Sequence, residues 1–271
     1  LNWPFLLLGK TTVIINRVDY LVKHKRVANG NIIVITFTKA AAQNMKNRYV
    51  SKFNTNSSPF FGTFHGLFYK ILLRCGRNID IVDGAVVHKI VSNILGKYFD
   101  EVNEDKIKEA INNISLYKTS RVPLNEFKPS IAKEIFEEAL EKYEEYKKEH
   151  NKRDFDDLAI EVLELLKNDK NMLLSYRKLF KYVLVDEFQD CDEMQIDFLR
   201  LINDGEDNNL FAVGDEDQCI YSFRGSKPEY MVNFDKIFIG GKKYYLSINY
   251  RSRMNIVDKS KTVIAYNEKR N

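Results

Sequence analysis

The sequence has few cysteines and no long apolar segment. Its three cysteines, Cys75, Cys191 and Cys219, are odd in number and lack metal-ligand spacing. This disfavours a disulfide framework or a structural zinc site and indicates a reducing compartment. No apolar run approaches the ~20 residues that a membrane-spanning helix needs, and the first residues lack the basic region and cleavage site of a signal peptide. We therefore expect a cytoplasmic protein that does not bind a membrane.

A strong excess of charge of one sign is also lacking. The 271 residues carry a formal net charge of +4, which permits a polyanionic partner without requiring one. Hydrophobic residues make up 44% of the chain and charged residues 30%, which is typical of a globular protein with a sizeable core. The length fits one large domain or two ordinary ones.

Short apolar runs alternate with helical patterns in two parts of the chain. The runs are too short for helices, are rich in branched or aromatic residues and end at turn or charged residues, as buried parallel strands do. They cover residues 5–8, 32–36, 182–185 and 210–213. The helical patterns cover residues 11–23, 39–49, 65–74 and 193–202. This alternation predicts an α/β fold with a parallel sheet.

The middle of the chain, from about residue 76 to residue 152, has a different pattern. It contains no convincing strand, and segments such as EEALEKYEEYKKEH are helical and highly charged, with a break near residues 120–129. A helix over residues 154–166, which begins with DFDDL, then returns to the first pattern. We therefore predict an α/β domain that is interrupted by an all-helical insertion. The predicted bounds are 1–76 and 153–271 for the α/β domain and 77–152 for the insertion.

The segment VLVDEFQD, residues 183–190, places two adjacent carboxylates at the end of a predicted strand. Ligands of open parallel sheets bind beyond the carboxyl ends of the strands. Asp186 is therefore a candidate Mg²⁺ ligand, and Glu187 is a candidate general base that activates or orients water, because both tasks need oxygen ligands or proton acceptors. The alternative is an acidic turn, which is common for two adjacent carboxylates but less so for the whole of DEFQD.

The segment FAVGDEDQCIYSFRG, residues 211–225, repeats this arrangement on another predicted strand. Gln218 offers a neutral amide that can contact both a phosphate oxygen and a catalytic water. Tyr221, Phe223 and Arg224 combine aromatic rings with a cation, as single-strand-binding proteins do when they stack bases and hold phosphates. The alternative is that the two aromatic residues belong to the core.

Two predicted helix starts offer free N–H groups to a phosphate. Thr36 and Phe37 lie in ITFTKAAA, and Thr63 and His65 lie in FGTFHGL. A lone histidine is more often structural than a ligand, so a nucleic-acid contact of His65 depends on its neighbours.

The segment INYRS, near the end of the chain, pairs an aromatic ring with a cation. Tyr250 can stack on a base such as adenine, and Arg251 can stabilise negative charge on a γ-phosphate. By itself this signal is weak.

The first residues contain PFLLLGKTT, which resembles an incomplete phosphate-binding loop. Gly9, Lys10, Thr11 and Thr12 match the end of such a loop, but its first glycine should stand at position 4, which is Pro4. Three explanations are open: a dead nucleotide site, a coincidental Gly-Lys-Thr, or a short segment of the natural protein that is absent directly before Gly9. We expect the last, because a chain that had lost the loop would have little reason to keep Lys10 and Thr11 beside an intact DEFQD.

Taken in order, GKTT, ITFTKAAA, GTFHGL, DFDDL, VLVDEFQD, VGDEDQCIYSFRG and NYRS resemble the motifs of the UvrD/Rep group of superfamily 1 helicases. The resemblance spans nearly the whole chain, and the set is far more specific than any one motif. It implies a RecA-like P-loop ATPase domain with an inserted helical subdomain and the use of ATP and Mg²⁺. It also implies 3′-to-5′ translocation on single-stranded DNA or at single/double-strand junctions, and a place at the bacterial nucleoid.

The resemblance further implies a role for each candidate residue. Lys10 would contact the β- and γ-phosphates, Thr11 and Asp186 would hold the magnesium, and Glu187 would activate water. Further nucleotide contacts would come from Gly9 and Thr12, from Gln218 and Arg251 at the γ-phosphate, and from Tyr250 on adenine. The DNA track would be lined by Thr36, Phe37, Thr63, His65, Tyr221, Phe223 and Arg224.

The sequence departs from the family pattern in three places. No glutamine that could recognise adenine precedes Gly9, the first part of the phosphate-binding loop is missing, and no second RecA-like domain follows Asn271. We expect the natural protein to continue with that second domain, which completes the ATP cleft, and we expect the isolated chain to be inactive. Two alternatives stay open: the motor part of a helicase–nuclease, and a non-catalytic single-strand-binding module with a degenerate ATP site.

Overall fold

Four short parallel strands form the sheet of the computed structural model, which describes residues 9–204, 209–222, 225–246 and 252–266. The strands are β1 (Ile32–Ile35), β2 (Phe60–Gly62), β3 (Tyr182–Val185) and β4 (Asn209–Ala212), in the spatial order β2-β1-β3-β4. The parallel α/β architecture predicted from the sequence is confirmed. β3 has its predicted bounds, whereas β2 was not predicted because three residues are too few to form a recognisable run. The strand predicted over residues 5–8 lies outside the described residues.

Twelve helices are found in the described residues, and none of them combines the length and apolarity needed to cross a bilayer. The first six are α1 (Lys10–Lys23), α2 (Lys39–Phe53), α3 (Phe64–Arg74), α4 (Gly84–Leu95), α5 (Glu104–Ser120) and α6 (Lys133–Glu149). The others are α7 (Phe155–Asn168), α8 (Lys170–Leu179), α9 (Glu193–Asn203), α10 (Glu229–Val232), α11 (Phe234–Ile237) and α12 (Met254–Ile264).

Helices cover both faces of the sheet, because successive strand residues point to opposite sides. On one face, Val34 and Leu184 are buried under α1 and α2 together with Ile14, Val18 and Met45. On the other face, α3, α7 and α9 pack over the alternate strand residues, with Phe68, Val162 and Phe198 buried there. Each side of the sheet thus has its own apolar layer.

Helices α4, α5 and α6 have a separate apolar core. Val91, Ala110, Ile114, Phe136 and Ala139 are among its buried residues. Residues 77–152 are described throughout, and none of them belongs to the sheet. We propose that this segment is the inserted helical subdomain.

The chain passes into and out of this helical unit at one place. The Val82 N–H donates to the carbonyl oxygen of Arg153 at 2.8 Å, and the Arg153 N–H donates to that of Asp80 at 2.8 Å. Lys152 also pairs with Asp80. The two connections therefore lie side by side as a short parallel ribbon.

A buried charge cluster lies next to this ribbon. Asp154 begins α7 as its N-cap and forms a capping box with Asp157. Lys118 of α5 lies 2.5 Å from Asp154 and 2.6 Å from Asp157, and Lys147 of α6 lies 2.9 Å and 2.8 Å from the same two residues. The lysine side chains are only 7% and 4% exposed. The cluster joins two helices of the helical unit to the first turn of α7.

Candidate functional site

The four strands end together at one edge of the sheet. Pairing is in register, so that the last strand residues, Gly62, Ile35, Val185 and Ala212, lie side by side. Thr36, Thr63 and Asp186 directly follow three of these strands. The structure thus brings three residues that were predicted from separate motifs to one edge, where ligands of open parallel sheets bind.

The loop that follows β3 is joined by main-chain hydrogen bonds to the end of β1 and to the residue after β4. The Asp186 N–H donates to the Ile35 carbonyl oxygen at 2.9 Å, and the Phe188 N–H donates to that of Val213 at 3.0 Å. Between them, Glu187 has a φ of +50°, a left-handed conformation that is uncommon for a residue with a side chain. The acidic turn after β3 is therefore fixed against both neighbouring strands.

Lys10 and Glu187 form a direct ion pair across the site. The Lys10 ammonium Nζ lies 2.5 Å from the Glu187 carboxylate Oε2, although the two residues are 177 positions apart in the chain. Both side chains are partly exposed. The start of α1 and the acidic turn after β3, which the sequence predicted to act together, are in contact.

Asp186 is buried and carries an oxygen with no partner. Its Oδ1 is shielded from solvent and accepts no hydrogen bond in the described structure. Burial, together with the negative charge of Glu187, raises the pKa of Asp186 to about 6, although the charge of Lys10 opposes the shift. A buried carboxylate oxygen without a donor fits a cation ligand, because Mg²⁺ prefers such hard oxygens.

The first turn of α1, which carries the lysine that contacts Glu187, begins without a side-chain cap. Gly9 is the N-cap, has no side chain to cap the helix, and no acidic residue occupies the first turn. Lys10, Thr11 and Thr12 form that turn, and the Thr12 hydroxyl accepts a hydrogen bond from Arg48 at 3.0 Å. The free N–H groups and the helix dipole together favour an anion at this position.

Gln218 lies in the loop after β4 but does not contact Glu187. Its side-chain Nε2 donates to Asp215 Oδ2 at 2.5 Å, and the side chain is otherwise exposed. The glutamine that does reach Glu187 is Gln189, whose Nε2 lies 3.1 Å from Glu187 Oε2. Sequence reasoning missed Gln189. Its only signal was its place inside DEFQD, two residues after the carboxylate.

Two aromatic residues of the predicted DNA track are stacked on each other. The rings of Phe37 and Tyr221 have centroids 4.8 Å apart and planes inclined by 24°, and Phe37 is 37% exposed. Thr36, by contrast, is buried, and its hydroxyl donates to the Thr38 carbonyl oxygen at 3.0 Å. The structure therefore presents the two rings, rather than Thr36, to a ligand.

Thr63 and His65 lie at the start of α3. Thr63 is the N-cap, and its hydroxyl accepts from the Gly66 N–H at 3.1 Å. The His65 ring packs 5.1 Å from that of Phe155, and burial lowers the pKa of His65, against the opposing charge of Asp154. Phe155 is a further residue that sequence reasoning missed. It is an aromatic first residue of a helix, 48% exposed beside a predicted contact.

Four predicted site residues, Phe223, Arg224, Tyr250 and Arg251, lie outside the described residues.

A second acidic group has the spacing of metal ligands but is already neutralised. It consists of Glu144, Asp154 and Asp157 and is the one such group in the described ranges. Lys118 and Lys147 lie between these carboxylates at ion-pair distance. We therefore regard it as an ion-pair cluster rather than a metal centre.

Comparison with known proteins gives a family match over most of the chain. Residues 8–239 match the family model described as the UvrD/REP helicase N-terminal domain. Among similar proteins, the putative ATP-dependent DNA helicase YjcD of Bacillus subtilis is 34% identical over 275 residues, which cover 97% of this chain. A probable DNA helicase II homolog of Mycoplasma capricolum is 34% identical over 96% of this chain. The ATP-dependent DNA helicase PcrA of Bacillus subtilis is 31% identical over 97% of it.

The matched segments are only a part of these relatives. They cover 36% of YjcD, 38% of the Mycoplasma protein and 37% of the Bacillus PcrA. The chain thus spans little more than a third of the length of the relatives that it matches.

Proposed function

Because this chain belongs to the UvrD/REP helicase N-terminal domain family, we propose that it is the N-terminal part of an ATP-dependent DNA helicase. The whole protein would hydrolyse ATP and use the energy to move 3′ to 5′ along single-stranded DNA. The observation that carries this proposal is the contact of Lys10 with Glu187, at 2.5 Å, beside the buried carboxylate of Asp186. A lysine at a helix start and two carboxylates at a strand end are the groups that a phosphoryl-transfer site requires.

ATP would bind with its phosphates at the start of α1. The free N–H groups after Gly9 and the Lys10 ammonium would face the phosphate oxygens, with Thr12 next to them. Lys10 would exchange its bond to Glu187 for the phosphates, because these carry more negative charge than one carboxylate. The exchange would release part of the Glu187 carboxylate for its own task.

Glu187 would then act as the general base that takes a proton from the attacking water. Its carboxylate is partly exposed at the sheet edge, and its position is fixed by the turn after β3. Positioned general bases contribute about 10²- to 10⁴-fold to a rate. We propose that Gln218 and Arg251 contact the γ-phosphate and that Tyr250 stacks on adenine.

Asp186 and Thr11 would hold Mg²⁺. The unpartnered oxygen of Asp186 and the hydroxyl of Thr11 in the first turn of α1 suit such an ion. When bound, Mg²⁺ neutralises charge on the phosphates and so favours their transfer.

Single-stranded DNA, alone or next to a duplex, would lie across the stacked rings of Phe37 and Tyr221. Base stacking on exposed aromatic rings is tolerant of sequence, as a translocating enzyme requires. We propose that Thr36, Thr63 and His65, together with Phe223 and Arg224, complete the track. Unwinding of partial duplexes that carry either a 3′ or a 5′ single-stranded tail tests the direction of movement.

The experiment that tests the proposal compares three variants of the full-length protein. With single-stranded DNA present, Glu187→Gln should bind ATP as the wild type does but hydrolyse it about 10²- to 10⁴-fold more slowly, because the base is lost. Lys10→Ala should weaken both binding and turnover. Glu193→Gln, at an exposed carboxylate that pairs with Lys227, is the matched control and should retain both.

ATP affinity and steady-state turnover distinguish the outcomes. Near wild-type hydrolysis by Glu187→Gln would show that another group is the base. Absence of ATP binding by the wild type would instead favour a non-catalytic single-strand-binding module.

A further inference from the structure

We propose that Gln189 is a positioning residue that orients Glu187 and links it to the loop after β4, so that DNA on Tyr221 can control hydrolysis. This inference rests on the proposed ATP hydrolysis. It concerns a side chain to which neither the sequence motifs nor the family match assigns a role.

Gln189 is buried, and its side-chain amide makes hydrogen bonds to the acidic turn after β3 and to the loop after β4. Its side chain is 1% exposed. Its Nε2 donates to Glu187 Oε2 at 3.1 Å and to Asp190 Oδ2 at 3.3 Å, while its Oε1 accepts from the Asp215 N–H at 3.0 Å. The one amide therefore connects the acidic turn after β3 with the loop after β4.

The surroundings fix which way the amide points. The Asp215 N–H can only donate, so the oxygen of Gln189 must face it. The two carboxylates can only accept when ionised, so the NH₂ group must face them. Glutamate at this position would place a third negative charge between Glu187 and Asp190, and an apolar residue would leave all three groups without this partner.

The loop after β4 can reach Gln189 only because position 214 has no side chain. A Cβ atom on Gly214 would lie 2.5 Å from Gln189 Oε1 and 2.7 Å from Met231 Sδ, closer than atoms can pack. A second contact follows four residues beyond Asp215, where Cys219 Sγ donates to the Gln189 carbonyl oxygen at 3.5 Å. Gln189 thus holds the loop on both sides of Gln218.

This arrangement gives Gln189 two tasks in hydrolysis. Lys10 and Gln189 both donate to Oε2 of Glu187. The first task is to orient Glu187: when phosphates draw Lys10 away, Gln189 still donates to Oε2, so that Oε1 of Glu187 is the oxygen that can face water.

The second task is to link Glu187 to the DNA track, because the loop after β4 that Gln189 holds leads directly to Tyr221, which stacks on Phe37. A base that displaces these rings would move the loop, and Gln189 would pass that movement to Glu187.

Two substitutions in the full-length protein separate these tasks. Gln189→Met has a similar length but neither donor nor acceptor. Gln189→Glu keeps an oxygen for the Asp215 N–H but removes the donor to Glu187. Gln195→Met is the matched control, because Gln195 is also buried and donates to an aspartate, Asp192, at 2.7 Å, but this contact lies within the first turn of α9 and does not involve Glu187.

The measurements are ATP affinity, turnover with and without single-stranded DNA, and hydrogen exchange of the Asp215 amide. Both Gln189 variants should bind ATP within about twofold of wild type but turn it over about 10- to 100-fold more slowly with DNA, as is usual when a group that orients a functional ligand is lost. The factor by which single-stranded DNA stimulates turnover should also fall in both variants. The Asp215 amide should exchange faster in Gln189→Met than in Gln189→Glu, and Gln195→Met should match wild type in all three.

A purely structural role is the competing explanation. If Gln189→Met lowers the melting temperature but keeps wild-type turnover and DNA stimulation, the positioning role is overturned, even though the proposed ATPase stands. If the wild type does not hydrolyse ATP, the proposed function fails instead. Hydrogen exchange then still decides the link to the loop, since unchanged exchange at Asp215 in Gln189→Met would overturn it.

Discussion

At the scale of single residues, Glu187 combines a functional side chain with an unfavourable backbone. A left-handed conformation costs a residue with a Cβ on the order of 1 to 2 kcal/mol, and Glu187 has a φ of +50°. The hydrogen bonds of its neighbours Asp186 and Phe188 to adjacent strands hold it there. Backbone strain of this kind is concentrated at functional sites, where it holds a side chain in one orientation. The contact of Glu187 with Lys10 agrees with such a role.

Tyr221 gives a residue-scale test of the DNA track. Tyr221→Ala removes one ring of the stack with Phe37 and should weaken single-stranded DNA binding by about 1 to 3 kcal/mol, the usual contribution of one stacked base. Fluorescence anisotropy with a labelled oligonucleotide measures this. Tyr98→Ala, at a half-exposed tyrosine of the helical unit, should leave the affinity unchanged. Loss of fold stability in proportion to affinity would show that Tyr221 is a core residue.

At the scale of secondary-structure elements, the charge cluster is the joint between α5, α6 and α7. Lys118→Met removes a cation from the buried carboxylates of Asp154 and Asp157. Breaking a buried ion pair from one side costs about 3 to 5 kcal/mol, because the other charge stays buried. Urea unfolding should show this loss. Lys142→Met, at an exposed pair with Glu145, should lower the free energy of unfolding by about 1 kcal/mol or less. Similar losses in the two variants would contradict the claim that the cluster holds α5, α6 and α7 together.

Asp156, in the first turn of α7, predicts a pH dependence of stability. Burial, together with the negative charge of Asp154, raises the pKa of Asp156 to about 7, although the charge of Lys118 opposes the shift. The folded state therefore keeps a proton that the unfolded state releases near pH ~4, so stability falls as the pH rises from about 4 to about 7. Asp156→Asn should be more stable than wild type at pH 8, by about 1 to 3 kcal/mol, and no more stable at pH 4. Melting temperatures at both pH values test this, and a constant difference would contradict it.

Elements that have a clear signal in their own residues were predictable from the sequence, whereas features that depend on partners distant in the chain were not. β3 was predicted with its observed bounds because four apolar residues precede two carboxylates. β2, of three residues, exists through its pairing with β1, which no local pattern reveals. The position of Asp186 and Glu187 at a strand end was predicted from DEFQD. The contact of Gln189 with the Asp215 loop was not, because it depends on the approach of a second strand end at Gly214.

At the scale of the whole molecule, the chain provides one side of the proposed ATP cleft. It spans 36% to 38% of the length of the relatives described above. In related phosphoryl-transfer enzymes, an arginine from a second unit contributes about 10³- to 10⁵-fold to hydrolysis. The remaining part of the full-length protein would supply such a group.

The isolated chain should therefore show little DNA-stimulated ATP hydrolysis. We expect a turnover at least ~10³-fold below that of the full-length protein under the same conditions, because the proposed second wall of the cleft would come from the remaining part of that protein. A coupled ATPase assay with single-stranded DNA measures both. Robust hydrolysis that does not depend on the chain's concentration would contradict the proposal, whereas hydrolysis that rises with the square of the concentration would indicate that two copies complete the cleft.

The parallel ribbon formed by residues 80–82 and Arg153 has a consequence for how this architecture can evolve. Both ends of the helical unit meet within hydrogen-bond distance, so the unit is equivalent to a long surface loop inserted at one point of the α/β domain. The entropy cost of closing a loop rises only slowly with its length. A genetic insertion at this one point could add or exchange the helical unit without changing strand order, register or sheet edge. Chains of this kind can therefore diversify in the helical unit while their carboxylates and phosphate-binding helix stay in place.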